Sequence, residues 1–288
     1  GDPVQVLAVT DDLVAVSKPH SMPVHVAGQY RKNTVLGVLQ ADRPDLGALH
    51  SCHRLDKGVS GLLVLARSAA AANRVRGFIE AGDVSKAYVA RVLGAFPDGE
   101  VVEDAPLAWD PRSNHASCAE PSDGPSAAKP ARTVFKRLYV ADDGRTSVVE
   151  CFPKTGRTHQ IRVHLQRLGH PIANDAQYGG TLSAVAPPKR PPVPTCGASP
   201  DAKRAKTDIG SDRAAEACQG TTQARAAETT DGAGEGIDRL CPHCPSMEPI
   251  GYPTDLRPLW LHAVSYSFGD GTSFCAPLPS WADRGFEV

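Results

Sequence analysis

The chain has 288 residues, 41% of them hydrophobic, which is enough for the packed core of one large globular domain or two ordinary ones. It contains no apolar run of about 18 residues, and residues 1–10 have neither the basic nor the apolar region of a signal peptide, so we expect no membrane partner. The formal net charge of -1 excludes the overall basic surplus that is common in nucleic-acid-binding proteins.

The basic residues are nevertheless concentrated in two segments. Residues 51–79 contain five of them and a single acid, Asp56. Residues 153–170 contain four of them and no acid. These two segments can therefore contact a polyanion locally, despite the neutral average.

The eight cysteines lack the spacing of a disulfide-stapled domain, and a chain of this length does not need such staples. We therefore expect a reducing intracellular compartment, the cytoplasm in preference to the nucleus or a mitochondrion. Cys241 and Cys244 have metal-ligand spacing, but a structural zinc site usually needs four ligands, so we expect reduced thiols there and no metal. Since the first residue is Gly1 rather than Met, we also expect native sequence before it.

The first predicted elements are a hairpin and a short helix. Val4–Val9 and Leu13–Ser17 are β-rich runs separated by two Asp residues, a pattern typical of an antiparallel hairpin. Asn33 and Thr34 then open a helical pattern that continues to Gln40.

A buried strand and a capped helix are predicted next. Gly61–Ala66 is a continuous apolar run, as expected for a strand that is covered on both faces. Ser68 is a suitable N-cap for the Ala-rich stretch that follows, and Gly82 is a suitable end for it. Val84–Leu93 alternates and predicts another strand.

The second half of the chain repeats these patterns. Thr133–Val140 and Thr146–Phe152 predict an antiparallel pair. Thr158 is the predicted cap of a helix that runs to Leu168. Leu259–Phe268 alternates again and should return to the same sheet.

Two stretches do not fit this core. Residues 113–128 are rich in Ser, Ala and Pro and predict a surface loop. Residues 181–236 have no aromatic residue and few large aliphatic ones, so we expect a disordered insertion there. The prediction is a single α+β domain, formed by residues 1–180 and 237–288, with a mixed, mostly antiparallel sheet flanked by helices.

The loop before Gly61–Ala66 carries the first candidate site. An Asp can act as a covalent nucleophile when nearby cations keep it ionised, and Asp56 stands between Arg54 and Lys57. A solvated loop with an Arg–Asp ion pair explains the same residues equally well.

The second candidate site is Lys154–Leu165. Helical spacing places Ile161 and Leu165 toward the core, and His159 and Arg162 on a neighbouring face that would present cations. The helix N-terminus, with Arg157 beside it, suits a phosphate or carboxylate. An amphipathic surface helix with a solvated basic side is the alternative.

Three segments, in this order, resemble the motifs of the RluA family of RNA pseudouridine synthases. They are HRLDKGVSGLLVLA at 53–66, SKAYVARV at 85–92 and KTGRTHQIRVHLQRLGHPIANDAQYG at 154–179. The resemblance covers residues 4–180 and 259–279, and residues 240–244 with the later LHA strand resemble eukaryotic RNA pseudouridylate synthase domain-containing proteins. It implies the family fold and a cofactor-free, monomeric enzyme that isomerises uridine in tRNA, rRNA or mRNA.

The resemblance also implies residue roles. Asp56 would attack a flipped uridine, Tyr88 would stack against the base and help to remove the C5 proton, and Arg162 would pair with Asp56 to keep it ionised. Arg54 would fill the space that the nucleotide vacates or contact its phosphate. The other residues expected to contact RNA are Lys57, Arg157 and His159.

Two positions qualify this assignment. A Tyr in an alternating strand, such as Tyr88, is more often a half-buried core residue when the motif is ignored. Val59 stands where the family usually has Thr, so the loop lacks one hydroxyl hydrogen bond. We expect this change to tune the loop rather than to abolish activity.

Two other functions remain open. An inactive RNA-binding module would keep the fold and lose the reaction. An Asp-dependent glycoside or nucleoside hydrolase would also act at a sugar–base bond, but such enzymes usually need a second carboxylate, and neither site offers one.

Overall fold

The first elements are the predicted hairpin and helix. The computed structural model describes residues 3–26, 30, 32–118, 128–142, 144–182 and 258–286. Strand β1 (Gln5–Val9) pairs antiparallel with β2 (Leu13–Lys18). Helix α1 (Val35–Asp42) begins after Thr34, whose hydroxyl accepts the N–H of Gly37, so the predicted cap is confirmed.

The next elements also follow from local sequence signals. After a two-residue strand, β3 (His50–Ser51), come β4 (Ser60–Ala66) and α2 (Ala69–Ala81). The hydroxyl of Ser68 accepts the N–H of Ala71, and Gly82 ends the helix in the left-handed conformation, with φ of +78°. Both predicted helix boundaries are confirmed.

The middle of the chain contains six strands, of which three were predicted. β5 (Val84–Leu93), β9 (Thr133–Val140) and β10 (Thr146–Pro153) match the predicted strands. The other three are the short strands β6 (Glu100–Glu103), β7 (Leu107–Asp110) and β8 (His115–Cys118).

The surface loop predicted over 113–128 is wrong at its start, because β8 pairs antiparallel with β7. Residues 119–127 of that loop lie outside the described residues. The four-residue strands are too short for their alternation to stand out in the sequence.

The last elements are one helix and two strands. Helix α3 (Gln160–Arg167) is followed by β11 (Leu261–Phe268) and β12 (Ser273–Cys275). Thr158 is not the cap of α3: the residue before the helix is His159, whose backbone is left-handed, with φ of +55°, and whose side chain caps no backbone group.

The strands form one ten-stranded sheet and a separate β7–β8 hairpin. The order across the large sheet is β1-β2-β4-β11-β5-β10-β9-β6, with β3 beside β4 and β12 beside β11. Among the described strands, β4 and β11 form the one parallel pair, and every other pair is antiparallel. The predicted α+β class with a mixed, mostly antiparallel sheet is confirmed. Because β11 lies between β4 and β5, it brings the loop before β4 close to Tyr88 and Val89, in the middle of β5.

All these elements belong to one compact unit, Gly1–Ala186 with Pro253–Val288. Within the described residues, no helix has the length and apolar character to cross a membrane. In the same part of the chain, no group of three His, Cys, Asp or Glu side chains is arranged to hold a metal ion. Cys241, Cys244 and the predicted insertion beyond Leu182 lie outside it.

Candidate active site

A cleft of about 120 Å³ opens where four parts of the chain meet. The loop before β4 contributes Asp56, β5 contributes Tyr88, the start of α3 contributes His159 and Arg162, and β11 contributes Leu261. The lining residues are Arg54, Leu55, Asp56, Val59, Lys86, Tyr88, Pro153, Thr155, Gly156, Arg157, His159, Gln160, Ile161, Arg162 and Leu261. The two segments identified in the sequence and Tyr88 therefore line one cavity, although no local signal links them.

His53 ties the loop that carries Asp56 to strand β4. The Nε2 of His53 accepts the backbone N–H of Val64 at 3.1 Å, so this nitrogen carries no proton. Burial, aided by the nearby Lys86, lowers the pKa of His53 to about 4. A neutral imidazole therefore fixes the loop to β4.

Lys18 holds the other side of the same loop. Its ammonium group is almost fully buried and donates to the carbonyl of Lys57, next to the nucleophile candidate, at 3.1 Å. It also donates to the carbonyls of Pro19 and Met22. Burial lowers the pKa of Lys18 to about 7, against the opposing attraction of Asp56. No sequence pattern indicated this role, because Lys18 lies at the end of a strand far from the motifs.

Asp56 faces His159 across the cleft. The Oδ2 of Asp56 lies 3.6 Å from the Nε2 of His159, and the Asp56 side chain is 26% exposed. Asp56 is the only acid among the residues that line this cleft. Its carboxylate is therefore both reachable from solvent and without a second carboxylate beside it.

The expected Arg162–Asp56 ion pair is wrong for this structure. Arg162 instead binds Asp175 through two hydrogen bonds, of 2.6 and 2.8 Å, and donates to Gln177 at 2.9 Å. The Asp175 side chain is only 2% exposed and needs a buried cation, which the planar guanidinium supplies in bidentate form. Arg162 still lines the cleft, but its charge is shared with Asp175.

Tyr88 lies on the cleft wall and contacts a second tyrosine. Its hydroxyl is 2.5 Å from the hydroxyl of Tyr266 on β11, and the two rings meet edge to face. Burial raises the pKa of Tyr88 to about 12, so its phenol is protonated at neutral pH. Tyr266 was not singled out in the sequence; the available signal was a polar-tipped aromatic in the alternating β11 pattern.

His159 is buried beside Tyr178, not displayed on a solvated face. Its Nδ1 lies 2.7 Å from the hydroxyl of Tyr178, which also accepts the N–H of Ala116 at 2.9 Å. Burial lowers the pKa of His159, so the ring is neutral at pH 7. Arg162 is also buried, and the predicted exposed cationic face is wrong for both residues.

The remaining predicted RNA-contacting residues occupy different positions. Arg54 and Arg157 are exposed on the cleft wall, and Arg157 also donates to the carbonyl of Pro130. Lys57 is not among the cleft-lining residues and donates to the hydroxyl of Tyr30 at 2.6 Å. Lys86, which the sequence did not single out, adds a half-buried ammonium to the cleft and has its pKa lowered by burial.

Comparison with known proteins identifies a family for this chain. A family model described as RNA pseudouridylate synthase matches residues 12–167. RNA pseudouridine synthase 7 of Oryza sativa subsp. japonica is 42% identical over 98% of this chain and 70% of its own length. The mitochondrial tRNA pseudouridine(32) synthase of Saccharomyces cerevisiae is 45% identical over 61% of this chain and 37% of its own length.

Solved structures give the same fold. Human RNA pseudouridylate synthase domain containing 4 covers 97% of this chain and 90% of its own, with a TM-score of 0.57 and 21% identity, a likeness that shows the fold alone. The chain spans between 57% and 70% of the length of four curated relatives that it matches.

Proposed function

Because this chain belongs to the RNA pseudouridylate synthase family, we propose that it isomerises uridine to pseudouridine in RNA, with Asp56 as the nucleophile. The observation that carries the proposal is the position of Asp56: it is the one acid on the wall of a cleft that also presents Arg54, Lys86 and Arg157. A carboxylate can attack a sugar or base carbon. The cations suit a polyanionic substrate.

The reaction requires a uridine outside the base stack. Chemistry on a base needs such extrusion, because its reacting atoms are covered inside a helix or a folded loop. Asp56 attacks the flipped nucleotide, and the N1–C1′ bond breaks through a covalent or glycal intermediate. The detached uracil rotates and rejoins C1′ through C5. The proton on C5 then leaves, and N1 gains one, so the product is an isomer of the substrate.

Tyr88 is the proposed partner of the base during this rotation. Its ring lies on the wall of the same cleft as Asp56, and a flipped base is commonly held by an aromatic face. Its hydroxyl is proposed to help remove the C5 proton as a relay: the phenol, which is protonated at neutral pH, accepts that proton on its oxygen while it passes its own proton to solvent.

Binding of the RNA backbone is proposed for the exposed cations. Arg54 and Arg157 stand at the surface of the cleft, where phosphates of the flipped nucleotide and its neighbours can reach them. Arg54 is also proposed to fill the gap that the nucleotide leaves. Lys57, which is bound to Tyr30, would shape this loop more than it would contact phosphate.

Tritium release from RNA labelled at uridine C5 tests the proposal. We expect the wild-type chain to release tritium from a mixed tRNA and rRNA pool, and Asp56→Asn to release none while it still binds the RNA. Asp45→Asn is the matched control, because Asp45 is an exposed carboxylate paired with Arg43. A folded wild-type chain that binds RNA without releasing tritium would indicate the inactive binding module.

The same reaction mixture discriminates against a hydrolase. Nuclease digestion and chromatography of the treated RNA should yield pseudouridine and no free uracil. Free uracil without pseudouridine would identify sugar–base hydrolysis instead. The single carboxylate of the cleft favours the isomerase, since hydrolases of this kind usually need two.

A further inference from the structure

The hydrogen-bond partners of Tyr178 decide which nitrogen of His159 carries a proton. The Tyr178 hydroxyl has one proton and accepts the backbone N–H of Ala116 at 2.9 Å. Among the described residues, the other polar atom within hydrogen-bond distance of this hydroxyl is Nδ1 of His159, at 2.7 Å. Because Tyr178 is fully buried and its hydroxyl proton needs an acceptor, Tyr178 donates to Nδ1, which leaves the ring proton of the neutral imidazole on Nε2.

This proton is directed at the nucleophile. Nε2 of His159 lies 3.6 Å from Oδ2 of Asp56, and the His159 side chain is 7% exposed. An Nε2–H group facing a carboxylate is a donor facing an acceptor. A small movement of the partly exposed Asp56 side chain shortens this contact to a charge-assisted hydrogen bond.

The backbone of His159 is held in an unusual conformation that gives the ring this position. Its φ of +55° is in the left-handed region, which residues with a side chain adopt at a cost of about 1 kcal/mol or more. Trp109 packs edge-on against the ring at 5.3 Å between centroids, and Tyr178 does so at 5.6 Å. A strained backbone of this kind persists where the surrounding contacts hold the residue in place, as they often do at functional sites.

We propose that His159 is a positioning residue for Asp56: a neutral imidazole, fixed in one tautomer by Tyr178, whose Nε2–H orients the nucleophilic carboxylate. The inference rests on the proposed function and replaces the expectation that His159 contacts RNA. A neutral donor orients the carboxylate without neutralising its charge, so Asp56 stays nucleophilic. In this tautomer Nε2 has no free lone pair, and His159 cannot act as a general base toward the substrate.

The charged groups around the ring agree with a neutral state. Asp56 and Asp175 raise the pKa of His159, whereas burial, Arg162 and His115 lower it. Burial is the largest of these effects, and the net direction is downward. Replacement of Asp56 by Asn removes one of the raising groups, so the pKa of His159 should fall further in that variant.

Nitrogen-15 spectra of the histidine rings test the tautomer without any need for activity. In the full wild-type chain at pH 7, the His159 ring should show a protonated Nε2 and a bare Nδ1, with its signals assigned from their loss in His159→Gln. Tyr178→Phe should convert this pattern to a mixture of tautomers. A protonated Nδ1 or a charged ring in the wild-type chain would overturn the proposal.

The activities of two variants test the positioning role. In both, the new residue must adopt the same left-handed backbone at position 159. His159→Leu removes the donor, whereas His159→Gln keeps an N–H near the position of Nε2. We expect kcat to fall by about tenfold or more in His159→Leu, the effect of one charge-assisted hydrogen bond, and to recover in large part in His159→Gln. The KM and the RNA affinity should stay near the wild-type values in both.

The outcomes distinguish failure of the positioning role of His159 from failure of the proposed isomerase function. Unchanged kcat in His159→Leu, or a loss confined to RNA affinity and its salt dependence, would refute the positioning role while the proposed function stands. Absence of tritium release from the wild-type chain would refute the proposed function, and the nitrogen-15 spectra of wild type and Asp56→Asn would still report the His159–Asp56 coupling. His25→Gln, an exposed histidine outside the cleft lining, serves as the control.

Discussion

The phenol oxygens of Tyr88 and Tyr266 lie 2.5 Å apart, one on the cleft wall and the other in the core. Only one of the two hydroxyls can donate in this bond. Tyr266 is buried and has no other hydrogen-bond acceptor among the described residues, so it donates to Tyr88, whose own proton is left to point toward the cleft. Tyr266 thereby opposes the rise in the pKa of Tyr88 that burial causes.

We expect Tyr266→Phe to slow the reaction and to raise the pKa of Tyr88 further. The loss of one neutral hydrogen bond, about 1 kcal/mol, corresponds to about a fivefold fall in kcat with little change in KM. Initial rates of tritium release and a spectroscopic titration of the tyrosines measure these two effects. Tyr139→Phe is the control, because its hydroxyl binds the carbonyl of Ala282 away from the cleft. Equal rates in wild type and Tyr266→Phe would contradict the expectation.

Loss of the Arg162–Asp175 pair should destabilise the fold strongly. Asp175→Ala leaves the buried Arg162 guanidinium without its bidentate partner, and breaking a buried ion pair costs about 3–5 kcal/mol. Urea denaturation measures the free energy of unfolding. Asp12→Ala is the matched control: it breaks an exposed pair with Arg74, for which we expect about 1 kcal/mol or less. Similar losses in the two variants would show that burial of the first pair has no energetic effect.

Lys18 should make the stability depend on pH. Its pKa is about 7 in the folded chain and about 10.5 in the unfolded chain, so between these values the unfolded state binds more protons. The free energy of unfolding of the wild type should therefore rise with pH relative to Lys18→Met, by at most about 1.4 kcal/mol for each pH unit. Urea denaturation at several pH values from 7 to 10 checks the sign. Lys136→Met, on the exposed side of β9, should follow the wild-type curve.

Gly61 should tolerate no side chain. A Cβ atom there would lie 2.3 Å from the carbonyl oxygen of Ala263. The backbone φ of Gly61, +102°, is also unfavourable for any residue that has a side chain. We expect Gly61→Ala to cost several kcal/mol, because it separates β4 from β11 beside the cleft. Gly77→Ala, in an exposed turn of α2 with open space around it, should instead stabilise the chain by about 0.5–1 kcal/mol. Thermal unfolding of the two variants should shift in opposite directions.

RNA binding should weaken as salt rises, and the exposed arginines should account for part of that dependence. Arg54→Ala and Arg157→Ala should each reduce the slope of log affinity against log salt by about one, as the loss of one phosphate contact does. Filter binding at a series of salt concentrations measures the slope. Arg43→Ala, which removes an exposed arginine outside the cleft, should leave it unchanged. A slope unchanged in all three variants would place the RNA elsewhere on the surface.

Sequence patterns predicted those helices and strands whose burial or capping depends on residues close to them in the chain. The continuous apolar run of β4 and the caps Thr34 and Ser68 follow from rules that involve neighbouring residues alone. The α3 boundary failed for a tertiary reason. Thr158 is the better cap by residue type, but the left-handed backbone of His159 keeps the helix from starting before Gln160.

The partners within the cleft could be predicted only in part. Motif resemblance identified Asp56, Tyr88 and Arg162, and the structure places all three on one cavity wall. The resemblance paired Arg162 with Asp56, and distance in the fold pairs it with Asp175 instead. No periodicity reports such a choice, because it depends on how segments far apart in the chain meet.

The position of β11 has a consequence for the order in which the molecule can be assembled. Ser60 and His262 are neighbours in the sheet although 202 positions separate them in the chain. While a ribosome is still making the residues before Leu261, β4 and β5 each lack their shared neighbour. A nascent chain at that stage has two unpaired strand edges, which invite wrong pairing, and no Leu261 on the cleft wall. Closure of so distant a contact is expected to be a late and slow step of folding.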